Sequence, residues 1–221
     1  MRGLSLRRPV MDAHACALTL QAASLLLGYP DEELPATVAL VRDARNRLPA
    51  AAAAALDPLC HHLSGTPLDE LQRNYVETFD LRRRCSPYLT YFSHGDTRKR
   101  GMALLRFTHA YRSAGGVFLG DELPDHLAVV CEFAATVDLE LGLRLLAENR
   151  AAVELLRSAL ADCGSPYVGV LDAVRAVLPG AAPRDLERAM ELARTGPPEE
   201  DVGLEPFGPP ELMGQGTGAR R

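Results

Sequence analysis

Ala15-Cys-Ala-Leu18-Thr-Leu-Gln-Ala22-Ala-Ser-Leu25-Leu-Leu-Gly28-Tyr-Pro30 places Ala15, Leu18, Ala22 and Leu25 at steps of 3, 4 and 3 and then stops at Gly28 and Pro30. Those steps follow one face of a helix with 3.6 residues per turn, and Gly followed by Pro is a helix terminator. The period recurs along the chain. Leu34, Val38, Val41, Ala44 and Leu48 form a second stripe, preceded by Asp31, Glu32 and Glu33, whose carboxylates suit the positive end of a helix. A shorter helix is expected around Leu56, Leu59 and Leu63. The next carries Leu68, Leu71, Tyr75 and Phe79, with Thr66 as its cap and Pro67 in its first turn.

From Asp80 to Asp96 the period breaks, and an ordered loop with a short helical piece near Leu89 is expected. Asp96 can cap a helix over 97–114, which Gly115 and Gly116 stop. Pro124 is expected to open one long helix through Leu127, Val130, Ala134, Val137 and Leu141, with Asp125 in its first turn. Further helices run to Leu160, from Ser165 through Val170, Val174 and Val177, and from Pro183 to about Arg194. No stretch alternates with period 2, so the fold class is all-α, an irregular multi-helix bundle. Residues 1–11 read as a flexible N-terminus and 12–195 as the helical domain. Residues 196–221, with 6 Gly and 5 Pro among 26, read as a mobile or loosely docked tail in which Leu204 and Phe207 can still pack.

Composition narrows the function. A formal net charge of −5 argues against general nucleic-acid binding, which needs clustered cations. Lys99 is the only lysine; with alanine runs such as Ala50 to Ala55, the arginine bias reads as a coding preference. Five cysteines with no Cys-x-x-Cys pair suit a reducing compartment. No signal-peptide core or apolar run of membrane-spanning length is present, so the chain is expected to be cytoplasmic and not inserted in a membrane.

Motifs of catalysis are sparse. The sequence holds no Gly-x-Ser-x-Gly elbow, no phosphate loop and no His-x-x-x-His. Cys85, His94, Asp96 and His126 could be read as a small metal site or an enzyme centre, but their spacing does not demand it. What stands out is the concentration of aromatic and fixed polar residues between Tyr75 and His126. The residues alone give a helical domain with an aromatic-lined loop, suited to a peptide groove.

Several of these segments, in order, resemble the NarJ-type assembly chaperones of nitrate reductase, which belong with the TorD and DmsD redox-enzyme maturation chaperones. The stretches are Leu25-Leu-Leu-Gly-Tyr-Pro30, Tyr75 to Asp80, Tyr88 to Tyr91, Gly95-Asp-Thr-Arg98 with Arg100-Gly101, and Glu122 to His126 continuing to Glu132-Phe133. Glu122-Leu-Pro-Asp-His126 is similar to the Glu-Pro-x-Asp-His signature of the wider family, with Leu123 in place of its proline. The resemblance implies a TorD-like fold, no catalysis and no cofactor of the chaperone's own. It implies a partner, the N-terminal segment of the nitrate reductase alpha subunit, held while molybdenum cofactor and iron–sulfur clusters are inserted. The residues expected to border the client's groove are Tyr75, Phe79, Tyr88, Tyr91, Asp125 and His126, with Asp125 facing an Arg or Lys of the peptide.

Overall fold

The computed structural model describes residues 12–117 and 122–198. The N-terminal segment 1–11, the connection at 118–121 and the tail beyond Pro198, with Leu204 and Phe207, lie outside the described residues. Among the described residues every regular element is helical. In chain order these are α1 (Ala13–Leu26), α2 (Leu34–Ala44), α3 (Ala50–Gly65), α4 (Leu68–Tyr75), α5 (Tyr91–His94), α6 (Arg98–Ser113), α7 (Leu127–Thr136), α8 (Leu139–Glu148), α9 (Arg150–Asp162), α10 (Val168–Val177) and α11 (Pro183–Thr195). A π-turn, Val76–Asp80, prolongs α4, and short 3-10 turns occupy Arg45–Arg47 and Arg83–Cys85.

α1 is the central helix and packs against α7, α10 and α2. Asp12 caps it, accepting from the His14 amide at 3.0 Å. Its buried residues are Ala15, Cys16, Thr19, Leu20, Ala22, Ala23 and Leu26, whereas Leu18 and Leu25 are only partly covered. The expected stripe was therefore out of phase at its two leucines. A helix that is apolar on nearly every side gives no contrast from which to read a phase. The second stripe is in place, since Val38, Val41, Ala44 and Leu48 are buried, although α2 tightens into a 3-10 turn before Leu48.

α3 is longer than expected, because the alanine run from Ala50 forms its first turns and buries Ala52 and Ala53. Small side chains let α10 come close here. A β-carbon on Gly169 would lie 2.1 Å from the Ala55 carbonyl oxygen, so only glycine fits at that crossing. Thr66 is not the cap of α4; its hydroxyl lies 3.4 Å from His62 Nδ1. Asp96 does not cap α6 but pairs with Arg100 at 3.2 Å. The long helix expected over 124–141 is two helices. Asp138 accepts from the Leu141 amide at 2.9 Å and so starts α8 afresh, leaving Val137 exposed at the break. α9 and α10 are joined by charge, with Glu154 and Asp172 bridged by Arg175 and Arg157 closing on Asp172 at 2.6 Å. No described helix is long and apolar enough to cross a membrane.

The phase of α1 can be measured. Leu20→Ala empties a site with no exposure and should cost about 2–5 kcal/mol of unfolding free energy, while Leu25→Ala should cost about half of that or less. Equal losses in denaturant titration would return α1 to the phase expected from sequence.

Candidate functional site: an aromatic loop pinned to the start of α7

The chain from Pro87 to Thr90 runs alongside the residues that lead into α7. Leu89 N donates to the Asp125 carbonyl at 3.0 Å and Leu127 N to the Pro87 carbonyl at 2.9 Å, making an isolated antiparallel bridge between Tyr88 and His126. Asp125 then fastens the loop a second time. Its Oδ2 accepts from the Thr90 amide at 3.0 Å and the Thr90 hydroxyl at 2.6 Å. Arg100 reaches in from α6. Its Nε donates to Thr90 Oγ1 at 3.3 Å, its Nη2 lies 3.9 Å from Asp125 Oδ2, and its guanidinium stands over the rings of Tyr88 and Tyr91 at 5.3 and 6.0 Å. Asp125 Oδ1 and Arg100 Nη2 have no hydrogen-bond partner among the described residues.

Asp125 is fully buried, at 0% exposure, and precedes the helix instead of sitting in its first turn. The capping role falls to His126, whose Nδ1 accepts from the Ala128 amide at 3.2 Å. Burial holds the His126 pKa below its ordinary value, with Glu122 and Asp125 acting in the other direction. The Tyr88 ring meets the imidazole edge-on at 5.2 Å, and the Tyr88 hydroxyl donates to Glu122 Oε2 at 2.8 Å.

Tyr75 and Phe79 are interior residues. Both pack edge-on against Tyr167, and the Tyr75 hydroxyl donates to the Leu27 carbonyl at 2.9 Å, tying α4 to the end of α1. Gln72 adds a bond to the Pro30 carbonyl at 3.0 Å, which accounts for the Gly28-Tyr-Pro30 turn as a fixed feature. The six expected site residues therefore separate into roles. Tyr75 and Phe79 support from below, Asp125 and His126 hold the loop, Tyr91 is buried beside Phe92, and Tyr88 alone of the six is partly open. Asp125 is not presented to a client's cation, because its carboxylate is closed in by Thr90 and Arg100.

Sequence reasoning missed the acids that are open. Burial raises the Tyr75 pKa, and Tyr167, Glu122 and Asp80 act in the same direction. Each of the two acids stands next to an exposed leucine, Leu81 at 72% and Leu123 at 39%, and Tyr29, at 53%, stacks edge-on against Tyr75. Tyr29 against Tyr75 and Glu122 on the Tyr88 hydroxyl thus put exposed apolar and acidic groups at the edge of the site. The usable signal was each acid's position next to a leucine, at Asp80-Leu81 and Glu122-Leu123, where the helical periods break off.

The residues of the alternative reading do not assemble. Among the described residues no group of three or more His, Cys, Asp or Glu side chains is placed to hold a metal ion. Cys85 is buried, and that burial, reinforced by the neighbouring Cys163, pushes its thiol up to about 11, opposite to what a nucleophile requires.

A family model described as nitrate reductase delta subunit matches residues 45–173. The chain belongs to that family. It is 33% identical over 176 residues to the probable nitrate reductase molybdenum cofactor assembly chaperone NarJ of Bacillus subtilis, covering 76% of this chain and 92% of that one. It is 41% identical over 162 residues to the nitrate reductase-like protein NarX of Mycobacterium tuberculosis, covering 70% of this chain, but it spans only 23% of NarX. The crystal structure of a putative redox enzyme maturation protein from Archaeoglobus fulgidus superposes with a TM-score of 0.55 at 24% identity, covering 80% of this chain and 98% of the other, which shows the shared fold.

Two measurements test the pinned loop. Asp125→Ala strands the Thr90 and Arg100 donors in the interior and should cost about 3 kcal/mol of stability. The second is a pH profile. The His126 pKa is lower folded than unfolded, so below the unfolded value of about 6.5 the unfolded chain binds the extra proton and the native one does not. Stability should hold steady above that pH, fall as the pH drops from there toward the folded pKa, and level off below it. His126→Asn, which keeps a capping side chain, should flatten that fall; an unchanged slope would show that His126 is not its source.

Proposed function

We propose that this chain is a NarJ-type assembly chaperone, which binds the N-terminal segment of the nitrate reductase alpha subunit in the cytoplasm and has no catalytic activity of its own. In this reading it holds the apo-subunit while molybdenum cofactor and iron–sulfur clusters are inserted and before membrane docking. Family membership supports the assembly role. The observation that carries peptide binding is the exposed edge of the site, where Tyr29 stacks on Tyr75 and Glu122 accepts from the partly open Tyr88, and where Leu81 and Leu123, exposed, are the sequence neighbours of Asp80 and Glu122. An amphipathic helix bearing Arg or Lys would set its apolar face on these groups and its cations on the two acids.

Charge favours this surface over the cavity of about 710 Å3 between α6 and α11. Arg106, Arg144, Arg184 and Arg188 line that cavity with Glu148 and Asp185, and Arg144 also pairs with Glu140 at 3.3 Å, so four cations meet three acids and a cationic segment is disfavoured there. On this view Tyr88 touches the client, Asp125 and His126 position Tyr88, and Tyr75 and Phe79 carry the floor. The contact area is modest, and ordering the peptide offsets part of the gain, which suits a client that must leave.

The test is titration of a peptide from the start of the alpha subunit, followed by calorimetry. Tyr88→Ala and Glu122→Gln should each weaken binding by about tenfold, or ~1.4 kcal/mol, with little change in melting temperature. Wild-type affinity in both variants would sink this surface as the binding site. Absence of binding by the wild-type protein would sink the client assignment.

A further inference from the structure

α6 is basic along its whole length. It carries Arg98, Lys99, Arg100, Arg106 and Arg112 and no acid, in a chain whose net charge is −5. Phe107 and Tyr111 bury one side of the helix, and Arg100 turns to that side, toward Asp96 and Asp125. The opposite side carries Arg98, Met102, Leu105, His109 and Arg112, at steps of 4, 3, 4 and 3, all of them exposed. That spacing draws a straight stripe along a helix. Met102 and Leu105, 68% and 60% exposed, are its apolar centre.

Part of the positive charge is already answered. Arg106 lies 3.5 Å from Glu148, and Arg98 is engaged as well. Lys99 and Arg112 form no ion pair among the described residues, and both are exposed. A helix that only had to cover the core would show water polar groups of both signs, not two apolar side chains between unanswered cations. The occupant that fits is elongated, apolar along one edge and negative on its flanks. Alternating steps of 3 and 4 are the geometry along which a second helix lies. An anionic lipid surface is disfavoured, because the domain would bring its net negative charge to that surface and the apolar centre to be inserted is small. The α6 of a second copy is repelled, since the helix has no acid to set against its own cations.

We propose that the outer face of α6 is a docking site for an acidic amphipathic helix of a partner protein, which sets apolar side chains on Met102 and Leu105 and carboxylates on Lys99 and Arg112. Met102 and Leu105 supply the contact area, and the unbranched methionine adapts to the shape it meets. Lys99 and Arg112 stand at opposite ends of the stripe, so the two charge pairs fix the register and direction of the partner helix. The inference does not depend on the client reading. There the chaperone offers acids to a cationic peptide, whereas here it offers cations, on the side of α6 turned away from Arg100 and Tyr88.

The probe is a fluorescein-labelled synthetic helix with Leu at the a and d positions of its heptads and Glu at e and g, whose like charges keep it monomeric. Titration with the full-length chain should raise its anisotropy saturably, and added salt should weaken the binding. The same peptide with Lys in place of Glu should not bind. Met102→Ser with Leu105→Ser, and separately Lys99→Glu with Arg112→Glu, should each weaken binding at least tenfold at unchanged melting temperature, because all four side chains are exposed. Amide exchange should slow severalfold in α6 on binding and stay the same in α9 and α10. Absence of saturable binding, equal affinity for the Lys peptide, survival of binding in either double variant, or protection outside α6 alone would each overturn the proposal. So would sedimentation with vesicles of equal parts phosphatidylcholine and phosphatidylserine, or self-association in light scattering, if the Met102 and Leu105 substitutions abolish it, since the face would then belong to a membrane or to a second copy. No client peptide is present, so failure here is separable from failure of the chaperone reading.

Discussion

A single buried carboxylate organises the candidate site. Asp125 has no solvent contact, and one of its oxygens accepts both the amide and the hydroxyl of Thr90. A carboxylate in that position is costly unless donors surround it, so the loop that brings Thr90 and the helix that brings Arg100 are held to it as a condition of folding. Tyr88 is placed by the backbone bridge next to Asp125 and by the guanidinium above its ring, and α5 starts directly after Thr90.

This organisation accounts for an otherwise odd division of labour. The residues that make the loop rigid are hidden, and those that can touch another molecule lie two or three positions away. Glu122 and Leu123 precede Pro124-Asp125, and Leu81 follows the π-turn that ends at Asp80. A turn with i→i+5 bonding is rare and is found where local packing favours it; here Phe79 sits between Tyr75 and Tyr167 at 4.7 and 5.0 Å. The interior aromatics therefore set the surface geometry without contributing to the surface.

The helical class and most element ends were legible in the sequence, because Gly and Pro punctuate the chain and the stripes through Val38, Leu71, Val130 and Val174 are buried as read. The phase of α1 was not legible, since a helix enclosed by α7, α10 and α2 carries apolar residues on most sides. Nor was the break at Asp138: an aspartate inside an apolar pattern looks like a polar face until the backbone shows it accepting from Leu141. Asp125 was misread for a related reason. Local sequence explains an acid near a helix start by the helix dipole, whereas Thr90, its actual partner, is 35 residues away. Long-range pairing of this kind leaves no periodic trace, which is why the site's residues could be named but not their roles.

The attachment of α6 has a consequence for how the molecule breathes. Of its sixteen residues only Phe107 and Tyr111 are buried, and Arg100 supplies its link to the Asp125 cluster. α3 and α10, by contrast, meet at a crossing so tight that Gly169 admits no side chain. The free-energy cost of local opening follows the apolar area released, so α6 forms a low-stability cooperative unit while α1, α3 and α10 open only with the whole domain. The Tyr88 loop straddles the boundary between these two units, joined to the soft one through Arg100 and to the stiff one through α7, and its fluctuations inherit the timescale of the softer side.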